Sequence, residues 1–411
     1  MAQSLDVVLT DFRSEQLSPP MPQARSLDYI AWLIEQKSGR ESSRFEVERD
    51  DVDVGDAVRT DLSSYIRDRV WHYGVAPEHI GHRQLHALPS STRLNGDPDT
   101  WDRAVFNEVG VESPRGRGLG ERLDYFAEVA DTCFERFYQN EREAPDDIIH
   151  VSCSGYLSPS AAQKLVSRKR WLSTNVTHSY HMGCYGAFPP VHMASGYLSA
   201  AHCLLPKPKR RVDVVHTELL SIHGDFSDLS SGNLVTLTLF ADGFIKYSAY
   251  RGDEARRRHK RGLRLLAAET AIIEASTHEM TWKPGEHNFE MYLSRRVPLY
   301  IRDAIAPLFT KLCGQCGIDF ARERNALLYA IHPGGPKILD HIVASLGVDR
   351  ARMHWSWDVL KQCGNMSSAT VPHIWQAMLG DDAVPVGGKI VSVAFGPGLT
   401  ATSLLFEKID G

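Results

Sequence analysis

Ala330-Ile331-His332-Pro333-Gly334-Gly335-Pro336 joins an apolar run, a turn and a helix start within seven residues. Its apolar lead-in, 326–331, reads as a short buried strand. The strand runs into a histidine and two glycines that permit a sharp turn, then a proline suited to the first position of a helix. The helix predicted over 336–346 stops at Gly347. Strand, turn and helix in that order present the imidazole at the carboxyl end of a strand, where α/β enzymes tend to place functional groups.

The same grammar recurs outward in both directions. Upstream, Leu123, Phe126, Val129, Cys133 and Phe137 follow helical spacing over 121–138, Pro145 ends that region, and 148–152 reads as a buried strand. A helix-like run ends at Pro206-Lys207-Pro208-Lys209-Arg210-Arg211, and a strand over 212–216 starts at once. That junction is the expected boundary between two halves, 1–208 and 209–411. Beyond it the pattern predicts a strand over 234–240, helices over 262–275 and 298–313, and closing strands over 389–395 and 400–406. Such alternation implies layered α/β architecture with helices against largely buried sheets. The first hundred residues, with the charged stretch Glu46-Val47-Glu48-Arg49-Asp50-Asp51, read as helices and loops.

With 411 residues the chain can bury a sizeable core without disulfides or structural metals. A net charge of −5 offers no global attraction to nucleic acid or anionic membrane. No stretch approaches the roughly 20 apolar residues of a spanning helix. The amino terminus lacks a basic segment leading into an apolar one, so a cytoplasmic protein is expected. Seven cysteines scattered over the chain fit reduced thiols better than a disulfide framework.

One of those thiols stands in a distinctive setting. His181-Met182-Gly183-Cys184-Tyr185-Gly186-Ala187-Phe188 places Cys184 between two glycines, just before a run, 191–198, that can be helical. A thiol at a helix amino terminus feels the positive end of the dipole, a setting that favours thiolate. On its own, Gly-Cys-x-Gly also fits a buried structural cysteine. His332 could accept the thiol proton, although a lone histidine also serves as a cap or core residue. The third segment is Cys363-Gly364-Asn365-Met366-Ser367-Ser368-Ala369-Thr370, a loop before a serine-capped helical run. Asn365 there is either a turn residue or a neutral donor to a thioester oxygen, a role worth about 3 kcal/mol.

In this order, and followed by Gly396-Pro397-Gly398-Leu399-Thr400, these segments resemble the chalcone and stilbene synthases, the type III polyketide synthases of the thiolase superfamily. Phe240-Ala241-Asp242-Gly243 is similar to a further turn of that family, and the resemblance is thin before residue 120. It implies a thiolase-like five-layered αβαβα fold made of two similar halves, the first carrying Cys184 and the second His332 and Asn365. It implies that Cys184 carries the acyl group, that His332 is its base and carbonyl-binding partner, and that Asn365 is the second donor. The reaction so implied is decarboxylative condensation of an acyl starter with a malonyl thioester, followed by closure to a pyrone or resorcinol. Substrates would be coenzyme A or acyl carrier protein thioesters, with no metal or other cofactor, and the protein would be a homodimer.

Carrying pocket positions over by ungapped counting gives gate positions at His223 and Leu263. It puts the family's pocket threonine region at Ser152 and Cys153, its pocket serine at Ser367, the Gly-Pro-Gly loop at Pro397, and the point where the partner subunit intrudes near Ser158. The alternatives are a ketosynthase joining two carrier-bound chains, an acyltransferase to an oxygen or nitrogen acceptor, and a non-catalytic scaffold. Cys313 and Cys316 have metal spacing but lack a second ligand pair. His178 and His181 are candidates for the pocket wall. Gly116-Arg117-Gly118-Leu119-Gly120 follows no clear strand and reads as a flexible connection. The basic runs 168–170 and 256–261 read as solvated faces or as contacts for coenzyme A phosphates or a carrier protein.

Overall fold

The structure, a computed structural model, describes residues 6–38, 62–88, 115–199 and 208–411. The charged stretch 46–51 and Pro206 and Lys207 lie outside these residues. A nine-stranded mixed sheet forms the frame, and its strands in spatial order are β11 (Leu328–Ile331), β12 (Lys389–Gly396), β13 (Thr400–Ile409), β8 (Gly262–Ile272), β1 (Val7–Glu15), β7 (Gly243–Arg251), β6 (Arg211–Glu218), β4 (Asp147–Ser152) and β5 (Asn175–Tyr180). The outer pairs β11/β12, β6/β4 and β4/β5 are parallel and the rest antiparallel. Strands from both sides of residue 208 share this sheet, because β6 pairs with β4. Two short ribbons stand apart, β2 (Met21–Pro22) with β3 (His82–Arg83) and β9 (Met280–Pro284) with β10 (Phe289–Leu293).

The helices are α1 (Gln23–Ser38), α2 (Leu62–Tyr73), α3 (Leu119–Tyr138), α4 (Ala161–Lys169), α5 (Phe188–Ser199), α6 (Ser231–Leu239), α7 (Gly252–Arg257), α8 (Val297–Gly314), α9 (Phe320–Glu323), α10 (Pro336–Leu346), α11 (His354–Cys363) and α12 (Thr370–Gly380). Period-two alternation along the strands sorts them into layers. Ile148, Val215 and Phe244 face a core with α1 to α4. Their neighbours Ile149, Val214 and Ile245 join Leu328, Ala330 and Ile390 of the other arm in a central core around Phe188 of α5 and Trp375 of α12. Tyr329, Ile331, Val391 and Val393 face a third core with α8 and α10. Helices outside, two arms of sheet and a helical pair between them make the five layers of a thiolase-like fold. Among the described residues no helix is long and apolar enough to cross a membrane.

Two expected elements have the opposite type. Of residues 234–240, read as a strand from their β-branched run, all but the extended Phe240 belong to α6, whose amino end is capped by the Ser230 hydroxyl accepting Asn233 N–H at 3.3 Å. Thr236 and Thr238 turn their hydroxyls back onto the carbonyls of Gly232 and Leu234, which satisfies them within the helix. Residues 262–275, read as a helix from their Leu and Ala content, contain β8, paired with β13 from Gly262↔Ile409 to Ile272↔Thr400. Long-range pairing overrides propensity there. The amino-terminal region also holds a strand that the sequence reading lacked, since Val7–Thr10 of β1 are buried between β7 and β8.

Candidate active site

Cys184 sits on a 3-10 turn, Gly183–Tyr185, between the end of β5 and the start of α5. Gly183 adopts φ +74°, and a Cβ there would meet Pro397 Cδ at 2.5 Å. A Cβ on Gly396 would meet the Tyr185 ring at 2.4 Å, so the loop from Gly396 to Thr400 wraps closely around the turn. Pro397 therefore braces the backbone that presents the thiol.

Asn365 follows α11 and is held by a parallel backbone bridge to Phe240: Asn365 N–H donates to Leu239 O, and Ala241 N–H donates to Asn365 O. Its preceding Gly364 has φ +74°, and a Cβ there would stand 2.9 Å from Arg83 Cγ. The Asn365 Oδ1 accepts Ser367 N–H at 2.9 Å, which fixes the amide and leaves its NH2 group available. Ser367 itself is buried and holds φ +49°, a strained backbone of the kind that collects at functional sites. The expected serine cap of the next helix is absent; instead the Thr370 hydroxyl accepts Met366 N–H.

The side chains of Ser367 and Asn365 both favour the ionised form of the Cys184 thiol. Burial nonetheless pushes that thiol up to about 12; Ser367 pulls it down, the charge on Glu218 pushes it up, and Asn365 pulls it down. The sequence expectation of a thiolate-favouring helix terminus is thus corrected: α5 begins only at Phe188, and desolvation outweighs its dipole.

His332 continues the ladder of β11, its N–H donating to Val393 O at 2.9 Å on β12, the strand against which the Cys184 turn packs. The imidazole is 1% exposed, and neither ring nitrogen has a hydrogen-bond partner among the described residues. Burial lowers its pKa to about 3, so the ring is neutral. A buried polar ring without partners is costly, which makes it a group kept for something the site receives.

The remaining expected positions divide. Cys153 lies against the turn, its thiol donating to Gly183 O at 3.1 Å. Ser152 shapes the adjoining turn through bonds from Ser154 and Gly155 N–H. His223 donates from Nε2 to Ser154 O at 2.6 Å and accepts Phe289 N–H at Nδ1, while its ring stacks on Phe289 at 4.4 Å. Leu263 is not a pocket residue: it pairs with Leu9 across β1 and β8 and is buried in the central core.

Sequence reading missed Glu218, Trp282 and Phe289. Glu218, at the end of β6, is wholly buried and accepts Cys153 N–H, the Ser154 hydroxyl at 2.8 Å and the Ser368 hydroxyl. Burial raises its carboxyl to about 7 against the pull of those bonds. Its sequence signal was a single carboxylate closing an apolar strand. Trp282 of β9 donates its indole N–H to Cys153 O at 2.7 Å and accepts His181 Nε2–H at its carbonyl, so His181 holds the ribbon rather than a ligand. His178 is bonded to Ser160.

A cavity of about 70 Å³ is lined in part by Phe240, His223, Trp282 and Phe289. Cys184, His332 and Asn365 do not line it. No group of three or more metal-binding side chains occurs among the described residues. The basic run 256–261 is engaged by acids: Arg256 with Asp6, Arg257 with Glu254, Arg258 with Glu143 and Glu254, and Lys260 with Asp11.

Residues 264–410 match the family of chalcone and stilbene synthases, C-terminal domain. The alpha-pyrone synthesis polyketide synthase-like protein Pks18 of Mycobacterium tuberculosis is 28% identical over 269 residues, 64% of this chain and 65% of that protein. The 1,3,6,8-tetrahydroxynaphthalene synthase of Streptomyces coelicolor is 28% identical over 257 residues, 62% of this chain and 64% of that one. The aligned part thus spans just under two thirds of each of these relatives. Among solved structures, PKS-I of the brown alga Ectocarpus siliculosus superposes with a TM-score of 0.79 at 20% identity, covering 99% of both chains. The Streptomyces coelicolor synthase superposes at 0.72 with 21% identity, covering 98% of this chain and 100% of that one. Those superpositions carry the fold, that of solved type III polyketide synthases, and the sequence similarity to chalcone and stilbene synthases, C-terminal domain, lies over residues 264–410.

Proposed function

We propose that this protein is a ketosynthase of the type III polyketide synthase kind, which loads an acyl group on Cys184 and extends it with a malonyl thioester. The observation that carries the reading is the buried, partnerless imidazole of His332 beside the strand that supports the Cys184 turn. In the loading step the Cys184 sulfur attacks the thioester carbonyl, and the thiol proton passes to His332 and on to the departing thiol. In the extension step the neutral His332 ring and the Asn365 amide donate to the malonyl thioester oxygen. Carbon dioxide leaves, and the enolate attacks the acyl carbon as its bond to Cys184 breaks. The products are a β-ketoacyl thioester, carbon dioxide and the regenerated cysteine.

Acyl-coenzyme A or an acyl carrier protein supplies the acyl group in this reading, and the working form is a homodimer, as the family resemblance implies. Carbon dioxide release from malonyl-coenzyme A tests the donor roles. His332→Gln and Asn365→Ala are each expected to slow it by about 10²-fold, the usual cost of one such donor. Release at the native rate in both variants would overturn the reading, and labelled malonyl carbon never entering product would favour acyl transfer without a new carbon–carbon bond.

A further inference from the structure

Arg83 of β3 is a fully buried cation whose hydrogen-bond acceptors are all uncharged. Its Nε donates to Gln23 Oε1 at 2.7 Å, one Nη to the carbonyls of Leu237 at 2.8 Å and Phe240 at 2.6 Å, and the other Nη to the Ser26 hydroxyl at 2.6 Å. Asp242, whose charge favours the cation, is bonded instead to His86 N–H and to the N–H and hydroxyl of Ser221. Burial lowers the guanidinium to about 9, so it is charged at neutral pH. The negative end of α6, whose last carbonyls it caps, offsets part of that cost.

The strip of backbone that the charge holds is the one on which Asn365 rests. The peptide group joining Phe240 to Ala241 accepts Arg83 at its oxygen and donates from its nitrogen to Asn365 O at 2.9 Å. A charged donor on a peptide oxygen polarises the group and strengthens the bond made by its N–H. Asn365 N–H donates to Leu239 O at 3.0 Å, so both backbone groups of Asn365 are bonded to the end of α6 that Arg83 caps. The stem of Arg83 closes the remaining side: a Cβ on Gly364 would stand 2.9 Å from its Cγ and 3.0 Å from its Cδ.

We infer that Arg83 is a positioning residue for the condensation, fixing the end of α6 and through it the place of the Asn365 carboxamide. It acts through Asn365 and not on the substrate, and the inference rests on the proposed donor role of Asn365. Arg83→Lys keeps the charge, but a single ammonium cannot span the acceptors that the planar fork reaches. With malonyl-coenzyme A, its kcat for carbon dioxide release should fall about tenfold while KM stays within about twofold, because the misplaced donor serves the transition state. In the Asn365→Ala protein the same substitution should change kcat by less than about twofold, since the group it positions is already gone. A role confined to holding the fold would lower kcat by one factor in both backgrounds. If Arg83→Lys fails to fold, Ser26→Ala strips one acceptor from the same guanidinium and should lower kcat about threefold, again only where Asn365 is present. Equal factors in the two backgrounds, or a native rate in the folded variant, would overturn the inference while the donor role of Asn365 stands. A native rate in Asn365→Ala alone would overturn that role, and the inference with it.

Discussion

Cys184 and His332 are both held neutral by burial, the thiol near 12 and the imidazole near 3. A site with no net charge on its nucleophile or its base binds an uncharged thioester carbonyl without first breaking an ion pair, and the proton moves only as the new bond forms. Glu218 supplies the other titration. Its folded-state pKa of about 7 lies above the ordinary 4.5, so the native state favours the protonated carboxyl. The resulting stabilisation is complete below pH 4.5 and is lost as pH rises through 7. Glu218→Gln, which keeps the shape and cannot ionise, should gain on the native protein by as much as about 3 kcal/mol between pH 5 and 8. Urea unfolding across that range measures it, and a pH-independent difference would refute it. The three motif residues were legible in the sequence because each lies among glycines and small residues whose turn chemistry is local. Glu218 was not, since its partners Cys153, Ser154 and Ser368 are 64 to 150 positions away.

At the scale of elements, a buried ionic cluster fastens α3 to the sheet. Asp213 of β6 receives Arg211 at 2.8 Å, Ser248 of β7 at 2.7 Å and the Tyr138 hydroxyl of α3 at 2.9 Å, with Lys246 of β7 at 3.3 Å. Burial alone would raise its carboxyl, but Lys246, Arg211 and the hydrogen bonds prevail and hold it near 2. Asp213→Asn takes the counter-charge from buried Lys246 and leaves Arg211 with Glu141 alone, and should cost roughly 3–5 kcal/mol in chemical denaturation. A loss under 1 kcal/mol would contradict that account. Elements defined by local signals, such as α10 between Pro336 and the left-handed Gly347, were legible in advance. Those defined by distant partners were not: β8 is a strand because β13 and β1 flank it, and its own Leu and Ala content says helix.

At the scale of the whole molecule, the layered order brings together groups that are far apart in sequence. Cys184 rides on the end of β5, on one outer arm of the sheet, and His332 on the end of β11, on the other. The central pair α5 and α12 packs against strands of both arms, and the Cys184 turn packs on β12, the strand that pairs with β11. Layering was legible from the alternation of strands and helices. The role of β1, which joins the arms by pairing with β7 and β8, was not, because its only mark is a short apolar run near the amino terminus. In the proposed reaction these elements serve a thioester carried on one sulfur, that of Cys184. Intact-protein mass spectrometry after incubation with short-chain acyl-coenzyme A thioesters tests it most directly. The native protein should gain one acyl mass and Cys184→Ala none, whereas the same gain on both, or no gain on the folded native protein with any thioester, would contradict the account.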